Sequence, residues 1–122
     1  MNKADLPLPL DYSYLYEISD DDRDFIKDML ATVVKNTPGN IEEIIAAQTK
    51  KSWTEVARLV HKLKPSLLLL NIEMVSTHIR NLESNAKKQT DLDLLKTQIA
   101  ELKEFCDLIV SEIKKDIEAD AY

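Results

Sequence analysis

Apolar residues recur along most of the chain at intervals of three and four, the spacing that places side chains on one face of an α-helix. A short first helix is predicted from a cap at Asp11 through Tyr14, Leu15 and Ile18. The longer stripes that follow are Phe25, Ile26, Met29, Leu30, Val33 and Val34; Ile41, Ile44 and Ile45; Trp53, Val56, Val60, Leu63, Leu67 and Leu70; Ile72, Val75, Ile79, Leu82 and Ala86; and Leu92, Leu95, Ile99, Leu102, Cys106, Ile109, Ile113 and Ile117. No helix of this kind can bury its apolar face alone, so the pattern predicts a bundle.

Local signals in the first half of the chain predict where the helices begin and end. Ser19 is followed by three aspartates, and a hydroxyl cap with carboxylates favours the positive end of a helix dipole. The first long helix is therefore expected to start there. The Thr-Pro-Gly-Asn sequence at 37–40 predicts an interruption, after which a second, shorter helix runs over 41–50.

In the second half, Ser52 and Glu55 have the spacing of a capping box, which predicts the start of the next helix. Asn71 tolerates the left-handed conformation that is common at a helix end, so this helix is expected to stop there. The final long helix is expected to begin at Asp91. The connections between these helices are short.

Composition supports the same fold class. The chain has a single glycine among 122 residues, whereas folds with many tight turns need glycine at positive φ. We therefore predict an all-α fold, an antiparallel up-and-down four-helix bundle with a short additional N-terminal helix. The expected organisation is an extended lead-in over 1–10, one helical domain over 11–118 and a tail over 119–122. The initial methionine and the short lead-in suggest a free-standing protein, and a segment of a larger kinase stays open as the alternative.

Charge and cysteine content limit the function. The net charge of −6 disfavours nucleic acid, which rewards clustered lysine and arginine. The single cysteine, Cys106, cannot form an internal disulfide, and its place on an apolar stripe predicts a core position. No segment has the roughly 18 uninterrupted apolar residues of a membrane span. We therefore expect a cytoplasmic protein that binds neither nucleic acid nor membrane.

The usual catalytic signatures are absent from the sequence. It contains no glycine-rich phosphate loop, no G-x-S-x-G elbow, and no pair of cysteines or histidines at metal-ligand spacing. Autokinase and hydrolase activity are therefore not expected, and neither is a cofactor or a metal bound by this chain. His78 lies on the flank of its stripe and is expected to be structural or simply exposed.

His61 is the residue best suited to carry chemistry. At 100° per residue it lies about 130° from the apolar direction of its helix, so it should face solvent. A neutral imidazole, with an unperturbed pKa of about 6.5, can attack a phosphoryl group and later leave it. Lys64 lies one turn further on and Lys62 lies beside it, so both can offset negative charge on a phosphorylated ring. Of the two, Lys64 is the stronger candidate.

The segment over 57–66, Ala-Arg-Leu-Val-His-Lys-Leu-Lys-Pro-Ser, resembles the phosphoacceptor motif of histidine phosphotransfer (HPt) domains, commonly written H-x-L-K-G-S. The order of the flanking elements over 11–118 is similar to that family as well. The resemblance implies that His61 is phosphorylated and that Lys64 assists it. It also implies a relay between the aspartates of receiver domains in response regulators and hybrid histidine kinases, with Mg²⁺ supplied by the receivers.

A docking surface is expected around the histidine. Ala57 and Leu68 fall near His61 on the helical wheel and, together with Arg58 and Pro65, are expected to form an exposed patch for a partner. Leu69 lies outside the buried stripe. Either a partner or the N-terminal helix could cover it.

Pro65 departs from the motif, because HPt domains commonly have glycine at this position. A proline within a helix lacks an amide donor and crowds the carbonyl four residues earlier, so a kink is expected just below His61. Two other functions stay open at this point. The chain could dock receivers or kinases without accepting phosphate, or its long final helix could pair with a second copy, although the resemblance implies a monomer.

Overall fold

The computed structural model describes residues 10–122 and contains five helices. They are α1 (Ser13–Ile18), α2 (Arg23–Thr49), α3 (Trp53–Leu68), α4 (Glu73–Lys88) and α5 (Leu92–Glu118). Each of the four long helices packs against the next in the chain, α5 closes the bundle against α2, and α1 lies on α2. The prediction of an all-α, up-and-down four-helix bundle with a short N-terminal helix is confirmed. Most of the predicted lead-in, residues 1–9, lies outside the described residues.

The core consists of aliphatic side chains from all four long helices. The largest fully buried side chains in the four long helices are Ile26, Leu30, Ile44, Leu63, Leu67, Ile79, Leu82, Leu95, Ile99, Leu102 and Ile109. Cys106 is buried among them as predicted, and burial raises the pKa of its thiol to about 12. The first residues of three predicted stripes are less buried than expected, because they lie at helix ends: Phe25 and Leu92 are exposed, and Trp53 is half-buried. No helix of the described chain is long and apolar enough to cross a bilayer.

Helix α2 is a single helix where the sequence predicted two. The predicted interruption at 37–40 is wrong, because the helix continues through Pro38. A proline within a helix costs about 3 kcal/mol through its missing hydrogen bond and its steric clash. Burial of one helix face offsets this cost. Thr37, Ile41 and Ile44 are buried at spacings of three and four, so this face packs into the bundle both before and after the proline. Tertiary packing therefore overrides the local turn signal.

The start of α2 also differs from the prediction. Asp22, not Ser19, caps this helix, and its carboxylate accepts a hydrogen bond from the amide of Phe25 at 3.1 Å. Asp20 and Asp21 have φ values of 56° and 62°, in the left-handed region. A right-handed helix cannot include them, so it begins only after these two residues.

At α3 the predicted capping box does not form. Ser52 occupies the cap position, but its side chain makes no capping hydrogen bond. Glu55 instead forms an ion pair with Arg58, one turn further along the same helix. The helix ends at Leu68, earlier than predicted, and Asn71 adopts the expected left-handed conformation with φ of 54° in the turn that follows.

A polar cluster fixes the last turn of α4 against α5. The amide nitrogen of Asn85 donates to the carbonyl of Asp91 and to the side chain of Gln98, at 2.8 and 3.0 Å. Its oxygen accepts from the amide of Asp91 and the hydroxyl of Thr90, both at 3.0 Å. His78 adds a contact of 2.8 Å between its Nε2 and the carbonyl of Gln98, which favours the structural one of the two roles expected for it. The C-terminal part of α4, which contributes to the site described next, is thereby held in place.

Candidate functional site

His61 lies in the middle of α3 and points away from the core. Its side chain is 65% exposed, as the helical wheel predicted, whereas Val60 and Leu63 on either side are buried. The helix continues through Pro65 to Leu68, so the histidine stands on a continuous helix despite the proline.

Glu83 of α4 contacts His61 from the neighbouring helix. The distance from Nδ1 of His61 to Oε2 of Glu83 is 2.6 Å, and the glutamate side chain is only 6% exposed. Burial alone would raise the pKa of this carboxyl, but the hydrogen bonds from Lys64 and His61 outweigh it and lower the pKa to about 2. Glu83 is therefore ionised at neutral pH.

The ionised glutamate determines which imidazole nitrogen carries the proton. A carboxylate can only accept hydrogen bonds, so Nδ1 of His61 must be the donor. In the neutral ring the lone pair then lies on Nε2, to which no group of residues 10–122 hydrogen-bonds. A carboxylate that accepts from one nitrogen of an imidazole fixes both the tautomer and the orientation of the ring. The arrangement can present Nε2 as a nucleophile to a group that approaches from solvent.

Two lysines complete the cluster. The ammonium of Lys64 donates to Oε1 of Glu83 at 2.6 Å, and its side chain is 23% exposed. The ammonium of Lys87 lies 3.4 Å from Oε2, and its side chain is 59% exposed. Lys62, the weaker candidate from the sequence, lies elsewhere, in a groove between α3 and α2. His61 and Lys64 thus belong to one cluster, in which each of them contacts a different oxygen of Glu83.

Glu83 and Lys87 were not identified as site residues from the sequence. A signal for them was present, since Glu83 directly follows Leu82 of the apolar stripe and has a lysine four residues later. What the sequence lacked was the rotation of α4 relative to α3, which decides whether Glu83 faces solvent or His61.

The expected docking patch is only partly exposed. Arg58 and Pro65 are exposed and Leu68 is half-buried, but Ala57 is buried, with 7% of its surface exposed. The predicted exposure of Ala57 is therefore wrong. A methyl side chain is small enough for the bundle to cover it, and a single-helix wheel cannot show this.

A second apolar surface lies in the groove between α2 and α3, on the side of α3 that carries Ser66. Phe25 and Met29 of α2 line it together with Ser66 and Leu69. Phe25 is 40% exposed there. Leu69, whose covering the sequence left open, is half-buried beside α2 and still borders this open groove. Within residues 10–122, no cluster of three or more histidine, cysteine or acidic side chains could hold a metal ion.

Comparisons with known proteins identify the fold. No protein-family model matches the chain, and no curated protein matches its sequence. Among solved structures, the chain is similar to the HPT domain of a sensor hybrid histidine kinase from Shewanella, with a TM-score of 0.79. The match covers 90% of this chain and 94% of that one at 19% sequence identity. The chain therefore has the fold of a histidine phosphotransfer domain.

Proposed function

We propose that the chain is a histidine phosphotransfer protein that relays a phosphoryl group between receiver-domain aspartates through His61 in a two-component phosphorelay. The observation that carries this proposal is the contact between Nδ1 of His61 and Oε2 of the buried, ionised Glu83. It holds an exposed imidazole with its free lone pair on Nε2. The fold shared with the Shewanella domain supports the same function.

In the first step, Nε2 of His61 attacks the phosphorus of an aspartyl phosphate on a receiver. The new N–P bond forms as the P–O bond to the aspartate breaks, and the bond electrons leave with the aspartate carboxylate. In the second step, the aspartate of another receiver attacks the phosphorus. The N–P bond then breaks, and its electron pair returns to Nε2. The receivers supply Mg²⁺ and the acidic groups that bind it, so no cofactor of this chain is needed.

Glu83 contributes to the first step by stabilising charge. An imidazole that carries a phosphoryl group on Nε2 and a proton on Nδ1 is positively charged. The carboxylate at 2.6 Å from Nδ1 stabilises this charge through a hydrogen bond in a partly buried setting. Phosphoryl transfer depends mainly on positioning and charge stabilisation, and the His61–Glu83 pair supplies both.

The receiver is proposed to dock on the face of α3 around His61. Arg58 and Pro65 are exposed on this helix, and the groove at Phe25 and Leu69 extends the surface towards α2. Cations near the histidine complement the acidic pocket of a receiver. We further propose that the chain acts as a cytoplasmic monomer, without nucleic acid or membrane as a partner.

The proposal is tested by transfer of labelled phosphate from a phosphorylated receiver to the purified chain. The wild type should acquire an acid-labile, alkali-stable label, whereas His61→Gln should acquire none and keep its fold, because the side chain is exposed. His78→Gln replaces the other histidine and should still be labelled, with circular dichroism as the check that the contact with Gln98 is not needed for folding. Equal labelling of His61→Gln would disprove the proposal. Receiver binding without any label on the wild type would instead favour the docking-only alternative.

A further inference from the structure

Lys87 and Lys64 bind the same carboxylate in different ways. Lys64 lies 2.6 Å from Oε1, and its side chain is 23% exposed. Lys87 lies 3.4 Å from Oε2, the oxygen that also accepts from Nδ1 of His61, and its side chain is 59% exposed. One lysine is therefore held closely by the bundle, and the other is held loosely beside the imidazole.

We propose that Lys87, and not Lys64, is the cation that moves onto the phosphoryl group carried by Nε2 of His61. Lys64 stays on Glu83 as a positioning residue. This inference rests on the phosphocarrier function proposed above and assigns its cation to a residue outside the sequence motif.

The cost of moving differs between the two ammonium groups. The Lys87 side chain is 59% exposed and its ammonium lies 3.4 Å from Oε2, so water can replace this contact, and Oε2 still accepts from Nδ1 of His61 when Lys87 leaves. If Lys64 moved, the Oε1 oxygen of a nearly buried carboxylate would lose its closest donor. The free-energy cost of this loss is high, because water has little access to that oxygen. The backbone of Lys87 lies in the last turn of α4, which the Asn85 cluster holds, and its long side chain is 59% exposed, so the surrounding bundle leaves it room to reorient.

The charges favour the same movement. The cluster of Glu83, Lys64 and Lys87 has one excess positive charge before transfer, and a phosphoryl group adds up to two negative charges next to it. When Lys87 leaves Oε2, this oxygen is left to the Nδ1 proton of His61 alone. The carboxylate then stabilises the positively charged ring more strongly. Movement of one side chain thus stabilises both the phosphoryl group and the imidazolium.

The adjacent Lys88 provides a matched control. It is exposed, lies in the same last turn of α4, and makes no ion pair in the described part of the chain. Lys87→Gln and Lys88→Gln remove the same charge from neighbouring positions. The measurement is the rate and the final extent of phosphoryl transfer from a phosphorylated receiver to each variant, with Lys87→Arg as the conservative variant and circular dichroism as the check of folding.

We expect Lys87→Gln to lower the extent of transfer by about fivefold or more, as the loss of one charge-assisted contact implies. Lys88→Gln should stay within about twofold of the wild type, and Lys87→Arg should restore most of the loss. If the wild type is labelled but Lys87→Gln lowers the extent of transfer no more than Lys88→Gln does, this inference is wrong and the proposed function still holds. Absence of label on the wild type would overturn the proposed function, and this inference with it.

Discussion

Replacement of Glu83 by glutamine tests the centre of the site, because it keeps the shape of the side chain and removes its charge. In the wild type, one carboxylate accepts from His61, Lys64 and Lys87. A neutral amide accepts only through its oxygen, and its NH₂ group would face donors. Glu83→Gln should therefore weaken the connection between α3 and α4 and release the imidazole from its fixed tautomer.

The size of the effect follows from the pKa of Glu83. The folded chain lowers this pKa from 4.5 to about 2. At about 1.4 kcal/mol per pKa unit, the ionised form contributes up to about 3 kcal/mol to the free energy of unfolding. Solvent screening at the exposed partners His61 and Lys87 reduces this figure, so we expect a loss of about 2 kcal/mol at pH 7.

The pH dependence has a definite sign. A carboxyl with a lowered pKa contributes its stability above its unfolded pKa, which is 4.5, and loses it as the pH falls towards about 2. Urea unfolding of wild type and Glu83→Gln should therefore show a difference at pH 7 that narrows steadily from pH 5 downwards. The exposed Glu104 on α5 supplies the control, since Glu104→Gln should differ little from wild type at any pH.

The same variant also tests the role of Glu83 in transfer. Loss of the charged acceptor for Nδ1 should slow phosphoryl transfer to His61 by at least about tenfold. Two results would refute the reasoning: a stability difference between wild type and Glu83→Gln that does not change between pH 7 and pH 3, or wild-type transfer rates in the variant.

Two further variants address the helix and the docking surface. Pro65→Ala restores an amide donor to the carbonyl of His61, so it should raise the free energy of unfolding by up to about 3 kcal/mol in urea titration and keep phosphate uptake. A variant less stable than the wild type would contradict the cost assigned to a proline within a helix. Phe25→Ala removes an exposed ring from the groove between α2 and α3, and it should weaken receiver binding by about tenfold in calorimetry while stability changes little. Unchanged affinity would exclude this groove from the docking surface.

The buried face of each helix could be predicted from the sequence, because buried positions on a helix recur every three or four residues and this spacing is visible in the sequence itself. Ile79 and Leu82, for example, are fully buried where the spacing of three placed them. The predicted break at 37–40 was wrong because it rested on local residue preference and not on this spacing. Proline and glycine report only local preference, whereas the continuity of α2 depends on the burial of Thr37 and Ile41 against other helices.

The same distinction between features of one helix and features of helix packing applies to the candidate site. The exposure of His61 could be predicted from its angle to the apolar stripe of its own helix, and this angle follows from the sequence. The contact with Glu83 and the burial of Ala57 depend on how the neighbouring helices rotate and approach, which results from the packing of the whole core. No spacing within α3 contains this information.

The role of Lys64 shows why this distinction matters for chemistry. Its separation of three residues from His61 suggests that both side chains serve the same phosphoryl group, because they lie near each other on one helix. In the structure the closest partner of Lys64 is Oε1 of Glu83 on α4, at 2.6 Å, and its ammonium holds the carboxylate that in turn holds the imidazole. Spacing along a helix indicates which groups are neighbours, but a third group on another helix decides what each of them binds. A lysine in the motif can therefore act through the glutamate, and the cation for the phosphoryl group can come from Lys87 on the facing helix.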